Sequence, residues 1–487
     1  MLLLEAGPDY RSADTPAEVS QANSLVLQDP SRFGAYWWDT PARYTDQQEP
    51  TPFGRGKVVG GCSTVNCQVA IRGVAEDYDE WASEGCDGWS ADEVLSSFVR
   101  LEHDLDFPDA SYHGDSGPVA ISRPGRAGFG PVDTLLADAA VDLGYGWADD
   151  HNAPGATGAS PAAMNARDGR RISSSDAYLE PVRDSGYLSV LGGATAEQIV
   201  FEGRRATGVR CRTSEGQQIF EGREIFVCAG TVYSPTLLLR SGIGPSQQLA
   251  AHGVEVVVDL PAVGENLSDH AAVFMSLGLR QPAGLEVSER YPVGCLVRFT
   301  SGIGGAGRSD MGFGSFNLWP HGPEGCSAGL IFVTLFQAFS RGRITLSGSD
   351  PAREPDVRFC LLSDDRDRSR MRDGIRRLSE LAAHPLVAEA SASAQLSGVA
   401  AGADLFSIPS PDLDAWLALH VGTIGHPSGT CRMGAADDPR SVVDSSCRVI
   451  GVDGLRVVDA SVMPAAPRAN NHLSCVMLAE HVVAHKL

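Results

Sequence analysis

The sequence predicts an α/β fold, a doubly wound parallel sheet of the dinucleotide-binding kind joined to a second domain on a mostly antiparallel sheet. Three observations carry this. Short apolar runs that end in an acid or in Ala-Gly stand at Leu2 to Glu5, Ile225 to Gly230 and Leu455 to Ala460, as buried parallel strands that finish at a ligand do. Gly54 to Asn66 has glycine at four of its thirteen positions with Arg55 and Lys57 among them, a backbone built to pass close to something. After His270, strand-like runs follow one another without helices between them, which points to antiparallel pairing.

Composition sets the limits. With 487 residues, 43% of them hydrophobic and 21% charged, the chain holds two or three domain-sized units. Lys+Arg 39 against Asp+Glu 61 gives -22, a surface that repels phosphate backbones and anionic lipid, so no nucleic-acid partner is expected. Eleven cysteines, an odd and scattered set, read as reduced thiols in a cytoplasmic protein. Cys62 and Cys67 are the only close pair, so no metal site is expected. The longest apolar stretch, around Ala328 to Phe339, falls far short of the roughly 20 residues of a membrane span. Met1 to Glu5 has no basic region and is not a signal peptide.

Taken in order, Leu2-Leu3-Leu4 is a strand running into the turn Glu5-Ala6-Gly7-Pro8. A carboxylate at the end of a parallel strand is where a dinucleotide fold holds a ribose, though Glu5 alone also suits a plain edge strand. From about Leu25 to Thr51 the chain is aromatic and turn-rich, with Tyr36-Trp37-Trp38 and no clean periodicity. Gly54 to Asn66 suits phosphate or a flavin edge, with a tight surface turn as the bland alternative. It is not a Walker A loop, because Lys57 precedes the paired glycines. Val132 to Leu143 is helical. Ile225 to Gly230 is a strand, after which Ser234-Pro235 opens a helix over Thr236 to Arg240, serine as cap and proline in the first turn. Val254 to Asp259 is another strand. Ala271 to Leu279, Gly294 to Thr300, Leu330 to Phe339 and Gly342 to Leu346 make the antiparallel sheet. Ile375, Leu378, Leu381 and Ala382 form the apolar stripe of a charged helix, and Leu413, Trp416, Leu417 and His420 mark another. Leu455 to Ala460 is a strand, Pro464 to Asn470 a turn, and His472 to His485 a closing helix.

Among twelve histidines, His426 stands apart. It lies in Gly425-His426-Pro427-Ser428-Gly429-Thr430, a turn that cannot be helical, and a fixed imidazole there suits proton abstraction near neutral pH. Spacing alone leaves a structural role open. A hydrolase is disfavoured: no G-x-S-x-G elbow is present, and Ser428 two residues after His426 has no orienting acid.

Lined up, these stretches resemble the glucose–methanol–choline (GMC) family of FAD-dependent alcohol oxidoreductases. The likeness rests on Leu3 to Gly7, Gly54 to Asn66 with Arg72-Gly73 and Asp77 to Trp81, Ala229 to Pro235 with Ser241 to Pro245, Val263 to His270, His426 to Gly434, and Val458 to Asn470. The resemblance implies an FAD-binding domain over 1–275, a substrate domain over 276–420, and a segment, 421–487, that returns to the first and carries the catalytic residues. It implies His426 as the base that takes the hydroxyl proton of a small-molecule alcohol while hydride moves to flavin N5, and Asn470 as donor to the same oxygen. His472 replaces what is commonly Asn in the choline and aliphatic-alcohol branch, which the Asn type at 470 otherwise fits. The cofactor contacts it implies are Glu5 on the adenosine ribose; Arg55, Gly56, Val59, Gly60, Gly61, Ser63 and Asn66 along the flavin and pyrophosphate; and Asp459 with Ala460 at the ribityl end. Val65 stands where some relatives attach flavin through histidine, which implies non-covalent FAD. The acceptor, O2 or another, is not decided by these residues. The family's first strand and G-x-G-x-x-G turn would stand before Leu2, so the expectation is a chain shortened at its N-terminus; a degenerate relative without FAD or catalysis, or a lyase on the same scaffold, are the alternatives.

Overall fold

The computed structural model describes residues 1–21, 33–280, 291–317, 328–396 and 410–487. Two parallel pairs lie at the strand ends singled out by the sequence. Leu2–Leu4 runs beside Ser189–Leu191, and Ile225–Val227 beside Leu455–Val457, each in parallel register. Among the described residues no ladder joins the two pairs. Glu5 follows the first pair, and its backbone N–H donates to Leu191 O at 3.0 Å.

The helix after Ile225–Val227 spans Gly230–Arg240, starting four residues before the serine expected to cap it. A neighbouring strand end supplies the missing acceptor: Asp459 Oδ2 accepts from Gly230 N at 2.8 Å and from Ser234 Oγ at 2.5 Å. Pro235 is therefore inside the helix, where it has no N–H to give the carbonyl of Thr231. That carbonyl accepts instead from Thr430 Oγ1 at 2.6 Å. The strand expected over Val254 to Asp259 is reduced to Val258–Asp259, paired with Ile243–Gly244.

A seven-stranded antiparallel sheet forms the other half. Its order is Ser391–Leu396, Ala271–Leu279, Ala328–Leu335, Met311–Phe316, Cys295–Phe299, Gly158–Pro161, with Gly422–Thr423 also paired to Ala271–Leu279. Alternation along Ala271–Leu279 sends Val273, Met275 and Leu277 into a core against the helices Pro131–Asp142 and Asp365–Ala383, where Leu136, Met371, Ile375 and Leu378 meet them. A second core holds Trp81, Trp89, Leu238, Val457 and Leu478. The aromatic stretch without periodicity proves to be a strand, Trp37–Arg43, in a hairpin with Thr51–Gly56; Pro41 faces Pro52 across it, and Asp356–Arg358 and Arg343–Thr345 extend the sheet. No described helix is long and apolar enough to cross a membrane.

Candidate active site

Two backbone bridges bring the His426 turn to the head of the large sheet. Ala271 pairs with Thr423, and Ser268 and Ser428 exchange backbone hydrogen bonds of 3.0 and 2.9 Å. Between those anchors His270 faces the segment that carries His426. Asp269 Oδ1 accepts from both backbone N–H groups, His270 at 2.7 Å and His426 at 2.8 Å, so one carboxylate fixes both residues. On the other side the helix Asn471–His485 begins directly after Asn470. The Asn471 amide donates to the carbonyls of His426 (2.8 Å) and Pro427 (3.3 Å), which leaves Asn470 aimed at the ring.

The ring has a polar partner at each nitrogen. Asn470 Nδ2 lies 3.1 Å from His426 Nε2, and His270 Nδ1 lies 3.0 Å from His426 Nδ1. An amide N–H can only donate, so with this orientation Nε2 is the lone-pair nitrogen and Nδ1–H donates to His270. Burial holds the His426 imidazole well below its usual 6.5, and His270 and the Arg55 guanidinium act in the same direction. His270 itself is pulled down to about 3 by burial. Both rings are neutral at neutral pH, and the free lone pair of His426 is on the Asn470 side. His270 escaped the sequence analysis because nothing in its spacing separates it from an ordinary core histidine.

Asn266, at a left-handed φ of 61°, closes the same ring of contacts. Its amide donates to Gly429 O (3.2 Å) and Pro464 O (3.0 Å), and its Oδ1 accepts from Arg341 Nε at 3.0 Å. A Cβ at Gly429 would stand 2.5 Å from the Asn266 carbonyl, so this position takes only glycine.

The remaining predicted residues divide by what they touch. Arg55 donates to Gly425 O at 3.2 Å and to Cys62 Sγ at 3.1 Å, linking the glycine-rich segment to the His426 turn. Gly56 has Gly61 and Cys62 backbone atoms at 2.6–2.7 Å from where a Cβ would be. Gly60 and Gly61 are left-handed and open the short 3-10 turn Gly61–Thr64; beside Gly61 the space is empty to 4 Å. Val59 is buried, and its backbone bonds to Pro8 O and Thr64 Oγ1. Ser63 Oγ donates to Gly60 O at 2.6 Å and accepts from Ser174 N at 2.8 Å. Asn66 Oδ1 accepts from Gln68 N and Arg171 Nη1. Glu5 Oε1 accepts from Gly7 N at 2.8 Å. Asp459 is spent on the start of the Gly230–Arg240 helix and on Ser461 N, and Ala460 begins the turn Ala460–Val462.

Comparison with known proteins decides the family. Residues 26–272 and 338–479 match two GMC oxidoreductase family profiles. The chain belongs to the GMC oxidoreductase family. It is 33% identical to the 5-(hydroxymethyl)furfural oxidase of Methylovorus sp. (strain MP688), over 99% of this chain and 93% of that protein. It is 34% identical to the oxygen-dependent choline dehydrogenase of Ectopseudomonas mendocina (strain ymp), over 99% and 88%. The crystal structure of pyridoxine 4-oxidase from Mesorbium loti superposes with a TM-score of 0.89 at 27% identity, over 99% and 94% of the two chains.

The GMC oxidoreductases are FAD-dependent, and FAD is the expected cofactor here. The residues present fit it. At the end of the strand Ile225–Val227, Cys228 is exposed. Gly230, two residues on, has open space where a Cβ would stand. His472 Nε2 and Asn471 Oδ1 are buried with no partner among the described residues, and buried polar atoms of this kind are met by a ligand or water. Glu5, the Gly60–Asn66 loop, His472 and the turn after Asp459 are the groups that would hold FAD.

Proposed function

We propose that this GMC oxidoreductase oxidises the CH–OH group of an uncharged alcohol, with His426 as the base and Asn470 as the group that holds the hydroxyl oxygen. The observation that carries this is the 3.1 Å contact between Asn470 Nδ2 and a neutral His426 Nε2. An alcohol oxygen entering between them receives the amide N–H and gives its proton to the lone pair. The resulting imidazolium stays paired with His270 through Nδ1–H and stabilises alkoxide character on the oxygen. When bound, FAD accepts the hydride that leaves the carbinol carbon. Val65 is a fully buried aliphatic side chain, which supports non-covalent attachment.

Support for an uncharged substrate comes from the large sheet. None of its seven strands contains Asp or Glu, and its one charged side chain is Arg298. Phe274, Phe332 and Phe316 lie ring to ring across three strands, with centroids 5.6 and 5.8 Å apart. The Phe336 edge packs on His270 at 5.5 Å, and Phe274 abuts Gly422 on the approach to His426. A row of phenyl rings, tilted 46° and 37° to one another and without a carboxylate beside them, suits an apolar neutral body better than a quaternary ammonium. That separates the chain in substrate from the choline-dehydrogenase-like branch that Asn470 otherwise supports. The test is anaerobic reduction of the bound flavin with a panel of primary alcohols. Apolar neutral alcohols are expected to outrun choline, and His426→Ala to slow reduction at least about a hundredfold. Faster reduction by choline overturns the substrate class, and an unchanged rate in the variant removes His426 as the base.

A further inference from the structure

Arg171 ends the two-residue hairpin strand Arg170–Arg171 and is 4% exposed. Its guanidinium donates to Ser63 O (2.9 Å), Asn66 Oδ1 (2.7 Å), Asn66 O (2.6 Å) and Val19 O (3.2 Å). Every one of those acceptors is neutral. Arg370 pairs with Asp310 and Asp367, Arg468 with Asp77 and Glu80, and Arg72 with Glu102, while the equally buried Arg298 bonds, like Arg171, to neutral acceptors, the carbonyls of His151 and Arg72. Arg171 forms no ion pair among the described residues. Asp176, the one carboxylate whose charge is felt at Arg171 among the described residues, is taken up by Ser12 Oγ, Ser173 N and Ser173 Oγ. Burial pulls Arg171 down to about 10, so it is still a cation at neutral pH. Its charge is felt at His472, whose imidazole it helps depress to about 4.

A buried cation without a counter-ion is costly. The segment it grips, Ser63 to Asn66, is the one the family likeness lays along the flavin. Hydride transfer breaks the carbinol C–H bond, places two electrons and the hydrogen on the flavin, and sends the hydroxyl proton to His426. A reduced flavin held along that segment would carry one more negative charge than the oxidised form, on the side of the loop that Arg171 grips.

We propose that Arg171 is a positioning residue of the flavin loop whose missing counter-charge is the reduced cofactor, so that it fixes Ser63 to Asn66 and raises the reduction potential of bound FAD. This rests on the FAD-dependent reading above. The test measures the two-electron midpoint potential and FAD affinity of wild type, R171M and R171K. R171M is expected to lose at least tenfold of the preference for reduced over oxidised flavin, a fall of ~30 mV for a two-electron couple, and to bind FAD at least tenfold more weakly. R171K keeps the charge but not the fork of donors, so its FAD affinity falls while its potential stays near wild type. R171M with FAD bound at the wild-type potential overturns the inference and leaves Arg171 a structural clamp. Should R171M not fold, the wild-type protein answers alone. A flavin held as the reduced anion takes up one proton per two electrons, so its potential falls ~30 mV per pH unit down to pH ~5. Twice that slope means a neutral reduced flavin and overturns the inference. A wild-type protein that takes up no FAD at all overturns the cofactor reading, and this inference with it.

Discussion

At the scale of single residues the site is a problem in placing one proton. His426 has its lone pair on Nε2 only while Nδ1–H has an acceptor, and His270 Nδ1 at 3.0 Å is that acceptor. Most buried base histidines are backed by a carboxylate, which raises their pKa. Here a neutral imidazole does the orienting, and burial, with His270 and Arg55 adding to it, lowers the pKa instead. The active form is the neutral ring, lost as pH falls through its pKa. The acid limb of the flavin-reduction rate should therefore lie below 6.5 in wild type. His270→Ala removes the acceptor, so the proton can settle on Nε2 and block the base. Stopped-flow reduction should slow by roughly ten- to a hundredfold with little change in KM. Its acid limb should move up in pH, because His270 no longer depresses its neighbour. An unshifted limb would reduce His270 to a packing role.

Asp459 is the corresponding case at the scale of elements. The family likeness places it at the cofactor, and within the protein its oxygens join a helix to a strand end: Oδ2 takes Gly230 N and Ser234 Oγ from the helix, Oδ1 takes Ser461 N from the turn after its own strand. Asp459→Ala leaves buried donors unmet and should cost about 3 kcal/mol of unfolding free energy, read as a lower urea midpoint at unchanged m; a cost near zero would mean the helix start is held otherwise. The same residue marks the limit of what the chain's pattern reveals. Runs such as Ile225–Val227 and Leu455–Val457 are legible because β-branched and aliphatic residues flank a single variable position, Phe226 in one and Arg456 in the other. The start of the Gly230–Arg240 helix is not, since its acceptor comes from a residue 229 positions away in sequence. Trp37–Arg43 stayed hidden because prolines face each other across its hairpin and break the alternation that signals a strand. In the site, His426 stands out through its turn and Asn470 only through the family likeness, while His270 and Asn266 acquire meaning only when the 268–272 and 422–428 segments come side by side.

Over the whole molecule a chain of net charge -22 gathers a balanced ionic cluster where the first segment meets the large sheet. His113 Nδ1 is 2.6 Å from Glu102 Oε1 and its Nε2 is 2.9 Å from Asp150 Oδ2; Arg123 bridges Asp104 and Asp150, and Arg72 pairs with Glu102. The cluster is tied to the sheet through the adjacent His151, whose Nε2 bonds to Gly158 O at 2.9 Å and whose carbonyl accepts from Arg298 Nη1 at 3.1 Å. Glu102, Asp104 and His113 are placed as metal ligands would be. Among the buried groups three carboxylates face two arginines, with the exposed Asp106 reaching Arg123 from outside at 3.4 Å, and a protonated His113 makes the buried charges equal, so the imidazolium fills the role a metal would have. Its carboxylate partners raise His113 above 6.5. A group raised on folding stabilises fully below its unfolded pKa and loses that contribution as pH rises through the folded one. His113→Gln should therefore destabilise by ~3 kcal/mol or more in mild acid, as expected for breaking a buried pair, and by progressively less in alkali. Denaturant unfolding of wild type and variant at pH ~6 and pH ~9.5 measures both, and comparing the two proteins at each pH cancels the titration of every other group. A difference that stays flat or widens toward alkali would mean that His113 is neutral in the folded protein and that the cluster carries an uncompensated negative charge.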